Sequence, residues 1–113
     1  MKEIKAIIQP YIVSKVIRAL HGLDHFPGFT LLDVRGQGRG RGAGGSYKVT
    51  EDDIDYHRKA MVLVVCSDET AEIVTEVIRS AAHTGNKGDG IIIVNEVAEV
   101  IRIRTGEIRD SAL

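Results

Sequence analysis

The segment Met61–Val94 reads MVLVVCSDETAEIVTEVIRSAAHTGNKGDGIIIV, and three hydropathy patterns in it decide the fold. Met61 to Cys66 is an almost unbroken aliphatic run, which predicts a strand central in its sheet. Ser67 or Asp68 is then placed to cap a helix, and the apolar period lengthens from about two to about 3.6 residues. Ile73, Val74, Val77, Ile78, Ala81 and Ala82 share one face of that helix, while Glu72, Glu76 and Arg79 share the other. Gly85 is the residue expected just past its C-terminus, and Ile91 to Val94 reads as a further strand. The segment is a β-α-β unit.

Working back toward the start, the same order recurs without useful sequence identity. Ile4 to Gln9 is a strand that Pro10 stops. Ser14 is expected to cap a helix with Val16, Ile17, Leu20 and Leu23 as its apolar stripe. That helix should end near Gly22 to Asp24, Pro27-Gly28 turns the chain, and Phe29 to Val34 forms the next strand. Beyond the quoted segment, Val100 to Arg104 reads as a short final extended piece. Two β-α-β halves predict an α+β chain, a ferredoxin-like βαββαβ sandwich with a long central loop. Two helices would cover one face of its antiparallel sheet. The strands carry more Ile, Val and Leu than alternation requires, so self-association is expected to cover the other face.

At 113 residues the chain predicts a single domain over residues 1–113. A formal net charge of -1 gives no global reason to expect nucleic acid or an anionic membrane as partner. No apolar stretch approaches the roughly 18 residues that span a bilayer, so the expectation is a cytoplasmic protein that is not membrane-inserted. Cys66, the one cysteine, is expected to be a buried core thiol.

The predicted central loop, residues 36–58, is longer than the roughly 12–15 residues of ordinary connections. Its first arm alternates glycine with Arg39 and Arg41, and its second carries Glu51, Asp52, Asp53 and Asp55 before Tyr56 and His57. Such a segment reads either as a flexible solvated loop or as one that orders on a ligand or partner.

Thr84 to Gly90 holds three glycines, Lys87 and Asp89. Backbone N–H groups of Gly88, Asp89 and Gly90 can form a concave nest for phosphate oxygens, with Lys87 adding a point charge. Arg102 and Arg104, expected on one face of the last extended run, can add planar multidentate contacts, and Arg39 or Arg41 can close over the same anion. The competing reading makes Arg102 and Arg104 solvent-facing charges balanced by Glu99 and Glu107. The cluster is no Walker A sequence, because Lys87 lacks a following Ser or Thr. A nucleophile elbow and a His-Glu-x-x-His motif are both missing, and His21 and His25 fall where the helix is ending. No catalytic residue, no metal site and no enzymatic activity are therefore expected.

On these residues the chain resembles the P-II signal transduction (nitrogen regulatory protein P-II-like) family over essentially its whole length. Four blocks carry the likeness in order: Met1 to Pro10, Val34 to Arg39, Ala81 to Gly90, and Ile101 to Glu107. The resemblance implies a homotrimer with inward-facing sheets and an adenine nucleotide, ADP, AMP or ATP, in each cleft between subunits. It implies no prosthetic group. Carried over by position, Thr30 and Val65 would lie beside the adenine. Gly38, Arg39, Lys87, Gly88, Asp89 and Gly90 would line the phosphates, with Arg102 and Arg104 on the cleft's other wall. The central loop, with Arg41, Tyr47, Asp52 and His57, would be an effector arm that docks on a membrane transporter or a metabolic enzyme.

Four positions depart from the family pattern. Gly40 stands where a glutamine helps hold magnesium and 2-oxoglutarate, and Asp52 where some members carry a uridylylated tyrosine. Ile91 replaces the lysine after the Gly-Asp-Gly run, and Leu63 an acidic residue at the ribose. The expectation is a divergent member without 2-oxoglutarate sensing or uridylylation, in which ADP or AMP serves at least as well as ATP. The alternative is a nucleotide-independent trimer that responds to a metal ion or a small anion such as bicarbonate.

Overall fold

Alternation along the strands decides which side of the sheet each residue faces, and the computed structural model follows it through residues 1–38 and 57–113, the part of the chain described. The elements are β1 (Lys2–Ile8), a 3-10 turn (Pro10–Ile12), α1 (Val13–His21), β2 (Thr30–Gly36), β3 (His57–Cys66), α2 (Asp68–Ala82), β4 (Ile91–Glu96) and a closing 3-10 turn (Arg109–Ala112). The four strands form one sheet in the order β2-β3-β1-β4, and every neighbouring pair is antiparallel. This is the expected α+β ferredoxin-like arrangement, with the aliphatic β3 in the interior of the sheet.

Ile4, Ala6 and Ile8 of β1 and Ala60, Val62, Val64 and Cys66 of β3 point to the helical side and are buried there. They meet Val16 and Leu20 of α1 and Ala71, Val74, Ile78, Ala81 and Ala82 of α2. Each large aliphatic side chain sealed in this layer contributes about 1.5–3 kcal/mol. Ile73 is the exception to the expected face, being 55% exposed. The buried stripe runs Ala71, Val74, Ile78, and Ile73 sits about 100° round the helix from Val74, past the edge of contact.

Ser14 does not cap α1. The helical turn begins earlier, because Pro10 heads a 3-10 turn that runs straight into the helix, leaving Ser14 inside it and Ile12 at its N-cap. Proline's fixed φ suits that first position and its missing N–H costs nothing there. Ser67 does precede α2 in extended conformation, but its hydroxyl meets Thr70 Oγ1 at 3.0 Å and caps no backbone N–H.

The central loop is shorter than its expected bounds. Gly36 pairs with His57 and Arg35 with Arg58, so these residues are rungs of the β2–β3 ladder. Arg39, Arg41, Tyr47 and Asp52 lie outside the described residues.

The final extended run is also corrected. Ile101 makes one isolated bridge, to Ile108, and the chain between them turns. Arg102 N–H bonds to the Glu107 carbonyl and Gly106 N–H to the Arg102 carbonyl, both at 2.8 Å. Gly106 takes φ 73°, which a side chain would resist, and Thr105 Oγ1 donates to Glu107 Oε1 at 2.8 Å. A Thr-Gly pair that closes a turn therefore overrides the alternating Ile and Arg pattern. Arg102 and Arg104 belong to a turn and do not share a strand face.

The sheet's other face carries no helix. Register places Leu32, Met61, Ile7 and Ile91 in one row across all four strands, and Thr30, Leu63, Lys5 and Ile93 in the next. Leu32 is 39% exposed and Ile91 59%. This row is a continuous apolar strip on an uncovered surface.

Candidate functional site

The Thr84–Gly90 segment builds itself around Asp89. Its carboxylate accepts the Thr84 N–H at 2.8 Å, the Gly85 N–H at 3.0 Å, and the Thr84 hydroxyl. The Asn86 N–H donates in turn to Thr84 Oγ1 at 3.1 Å. The Thr84 hydroxyl, the neighbouring amides and, more weakly, His83 hold the Asp89 carboxyl below the usual carboxylate range. Asp89, expected to line the phosphates, also buckles its own loop through these bonds.

Two further contacts fasten that loop to the sheet. The Gly88 carbonyl accepts from Gln9 Nε2 at 2.7 Å and from Lys59 Nζ at 3.2 Å. Gly90 passes so close to β1 that an added Cβ would stand 1.8 Å from the Ile7 carbonyl oxygen, and its φ of 106° excludes side chains as well. Sequence reasoning missed Gln9 and Lys59. The available signal was Lys59 itself, a charge at an outward-alternating position of an aliphatic strand.

These anchors fix the 84–90 loop at one end of the sheet. Lys87 is exposed, and among the described residues its ammonium has no ion pair. Gly38 follows β2 at this same end, where Gly36 faces His57 and Val34 faces Lys59. His57 opens β3 there and is exposed. Ile91, the first residue of β4, presents an apolar side chain beside the loop on the uncovered face.

The other expected residues lie at the opposite end. Thr30 pairs with Leu63 and lies on the uncovered face, and Val65 lies two residues further along β3 on that face. Val97 N–H bonds to the Met1 carbonyl, so the chain bearing Arg102 and Arg104 also leaves the sheet from this end. Six residues of strand separate Lys59 from Val65, about 20 Å at roughly 3.3 Å per residue. No hydrogen bond or ion pair joins either guanidinium to the 84–90 loop among the described residues. Within one copy of the chain the expected site residues thus fall into two groups, toward opposite ends of β3.

Cys66 is buried, and desolvation pushes its thiol up despite a hydrogen bond with Thr70 that favours the thiolate. Among the described residues no three His, Cys, Asp or Glu side chains gather to hold a metal ion, and no helix is long and apolar enough to cross a membrane.

Comparison with known proteins sets this geometry in context. The family model described as nitrogen regulatory protein P-II matches residues 1–107. The chain is 47% identical over 107 residues to the nitrogen regulatory protein P-II of Rhizobium meliloti, covering 95% of each chain. It is 43% identical to nitrogen regulatory protein P-II 2 of Methanothermobacter thermautotrophicus, over 95% of this chain and 92% of that one. The nitrogen regulatory protein P-II of Porphyra purpurea is 39% identical over the full length of both.

Proposed function

The chain belongs to the nitrogen regulatory protein P-II family and is a non-enzymatic signalling regulator; from that premise we propose that it reads adenine nucleotide at a site completed between copies of itself. The observation that supports this is that Lys59, beside Gly88, and Val65 stand six residues apart on β3, about 20 Å along the strand. In a homotrimer closed over the apolar strip, the Lys87–Gly90 end of one copy meets the Thr30 and Val65 end of the next. Adenine then packs on Val65 and Thr30. The phosphates meet backbone N–H groups of Gly88 and Gly90, Lys87, and Gly38 with Arg39, while Arg102 and Arg104 close the other wall.

ADP or AMP is the preferred ligand. Ile91 places a hydrocarbon where a further cation would serve a third phosphate, and a charge-assisted hydrogen bond is worth about 1.5–3 kcal/mol. That corresponds to roughly tenfold to a hundredfold in affinity. The central loop, with Arg41, Tyr47, Asp52 and His57, is the output arm of a cytoplasmic regulator and docks on a membrane transporter or a metabolic enzyme. Isothermal titration of the full chain with ADP, AMP and ATP, with and without magnesium, tests the reading. Replacing Arg102 and Arg104 together by alanine should abolish the nucleotide heat while light scattering still reports a trimer. Unchanged binding in that variant would sink the assignment.

A further inference from the structure

The β2–β3 register creates a second polar cluster on the side of the sheet away from the Gly88 anchor. Arg35 stands directly opposite Arg58, and Asp33 opposite Ala60. Ala60 is buried toward the helices, so Asp33, Arg35 and Arg58 face that side, while Lys59 alternates to the other. Directly opposed Cβ atoms lie about 4.5–5.5 Å apart and diagonal neighbours about 7–8 Å, within reach of arginine. Together with Val34 the three side chains line a cleft of about 290 Å³.

Like charges directly opposed destabilise a ladder. Among the described residues neither guanidinium is relieved by an ion pair, either with Asp33 or with any other carboxylate. Two planar donor forks therefore converge on one cleft and favour a single oxyanion. Asp33 adds a condition to that preference. An ionised carboxylate only accepts, so an anion fits beside it only by bringing a proton of its own.

We infer that Asp33, Arg35 and Arg58 form a binding site for a small oxyanion that retains a proton, of which hydrogenphosphate is the type. Its oxygens accept from the two arginines and its hydroxyl donates to Asp33. Sulfate matches it in shape and charge but carries no proton at neutral pH, and it would leave Asp33 facing an unprotonated oxygen. Rejection of the analogue that lacks a required donor is the stronger direction of selectivity. The site is separate from the nucleotide cluster, because successive strand residues, here Arg58 and Lys59, point to opposite faces.

Calorimetric titration of the full chain, free of nucleotide, with potassium phosphate and with potassium sulfate at equal ionic strength tests the inference. Phosphate is expected to bind at least about tenfold more tightly than sulfate. Arg58→Gln and Arg35→Gln should each weaken phosphate about tenfold or more with an unchanged circular dichroism spectrum. Asp33→Asn, whose amide can donate, should bring sulfate up to parity with phosphate. On adding phosphate, the Nε–H signals of Arg35 and Arg58 should move in nitrogen-proton spectra. Arg35 and Arg58 Nε–H signals that stay still on adding phosphate, or that move as far at the same concentration of sulfate, would overturn the site.

Discussion

Gly90 and Asp89 do different work at adjacent positions, and each invites its own measurement. Gly90→Ala would drive a methyl into the Ile7 carbonyl at a φ that side chains avoid. The expected cost is on the order of 3 kcal/mol or more, visible as a lowered urea midpoint. The Asp89 carboxyl is depressed in the folded chain, so its contribution is complete above the unfolded value near about 3.9 and fades as pH falls through the folded one. The difference in melting temperature between the natural chain and Asp89→Ala should therefore be full at neutral pH and shrink below about pH 4. A gap that persists unchanged in strong acid would show that the charge is not responsible. The glycines and the Lys-Gly-Asp run marked this loop in the sequence. The inward turn of the Asp89 side chain was not legible there, since it depends on amides that converge only when Thr84 and Gly85 leave the helix.

Among the elements, α2 was the most legible. Its start after Ser67 and its stop before Gly85 agree with Asp68–Ala82, although the Ser67 hydroxyl caps no backbone N–H. Ile73 was misplaced because periodicity gives a broad face while packing selects a narrower stripe. Ile78 is fully buried and Ile73 is not, so truncation should separate them. Ile78→Ala should cost about 2–5 kcal/mol and Ile73→Ala well under about 1.5 kcal/mol in chemical unfolding. Equal losses would contradict the placement of the helix. The last predicted strand failed for a local reason, since a Thr105-Gly106 turn outcompetes an alternating pattern too short to find a partner. The start of β3 was missed because His57 and Arg58 read as loop residues, and only pairing with Arg35 and Gly36 makes them strand.

At the scale of the whole molecule, the uncovered face matters most. Its Leu32, Met61, Ile7 and Ile91 row faces away from the helices, so it can be altered without touching the core beneath them. Met61→Asp should leave the circular dichroism spectrum intact, lower the mass in light scattering to that of one chain, and remove nucleotide heat together with it. A variant that keeps its assembly would show that copies meet elsewhere. The bare apolar face was legible from aliphatic excess alone. The division of the candidate site between two ends was not, because sequence distance along β3 becomes spatial distance only once the strand is known to be straight and central.

Lys59 carries one further consequence. It reaches the Gly88 carbonyl from a position two residues after His57, where the chain re-enters the sheet from its central loop. A molecule that binds more tightly with that contact broken than with it made necessarily shifts the balance between the two arrangements of the strand end. Linkage is reciprocal, so whatever grips the loop and favours one arrangement changes affinity at Gly88 by the same factor that occupancy at Gly88 changes the grip on the loop. One ammonium-to-carbonyl contact thus couples any ligand at Gly88 to any grip on the start of β3.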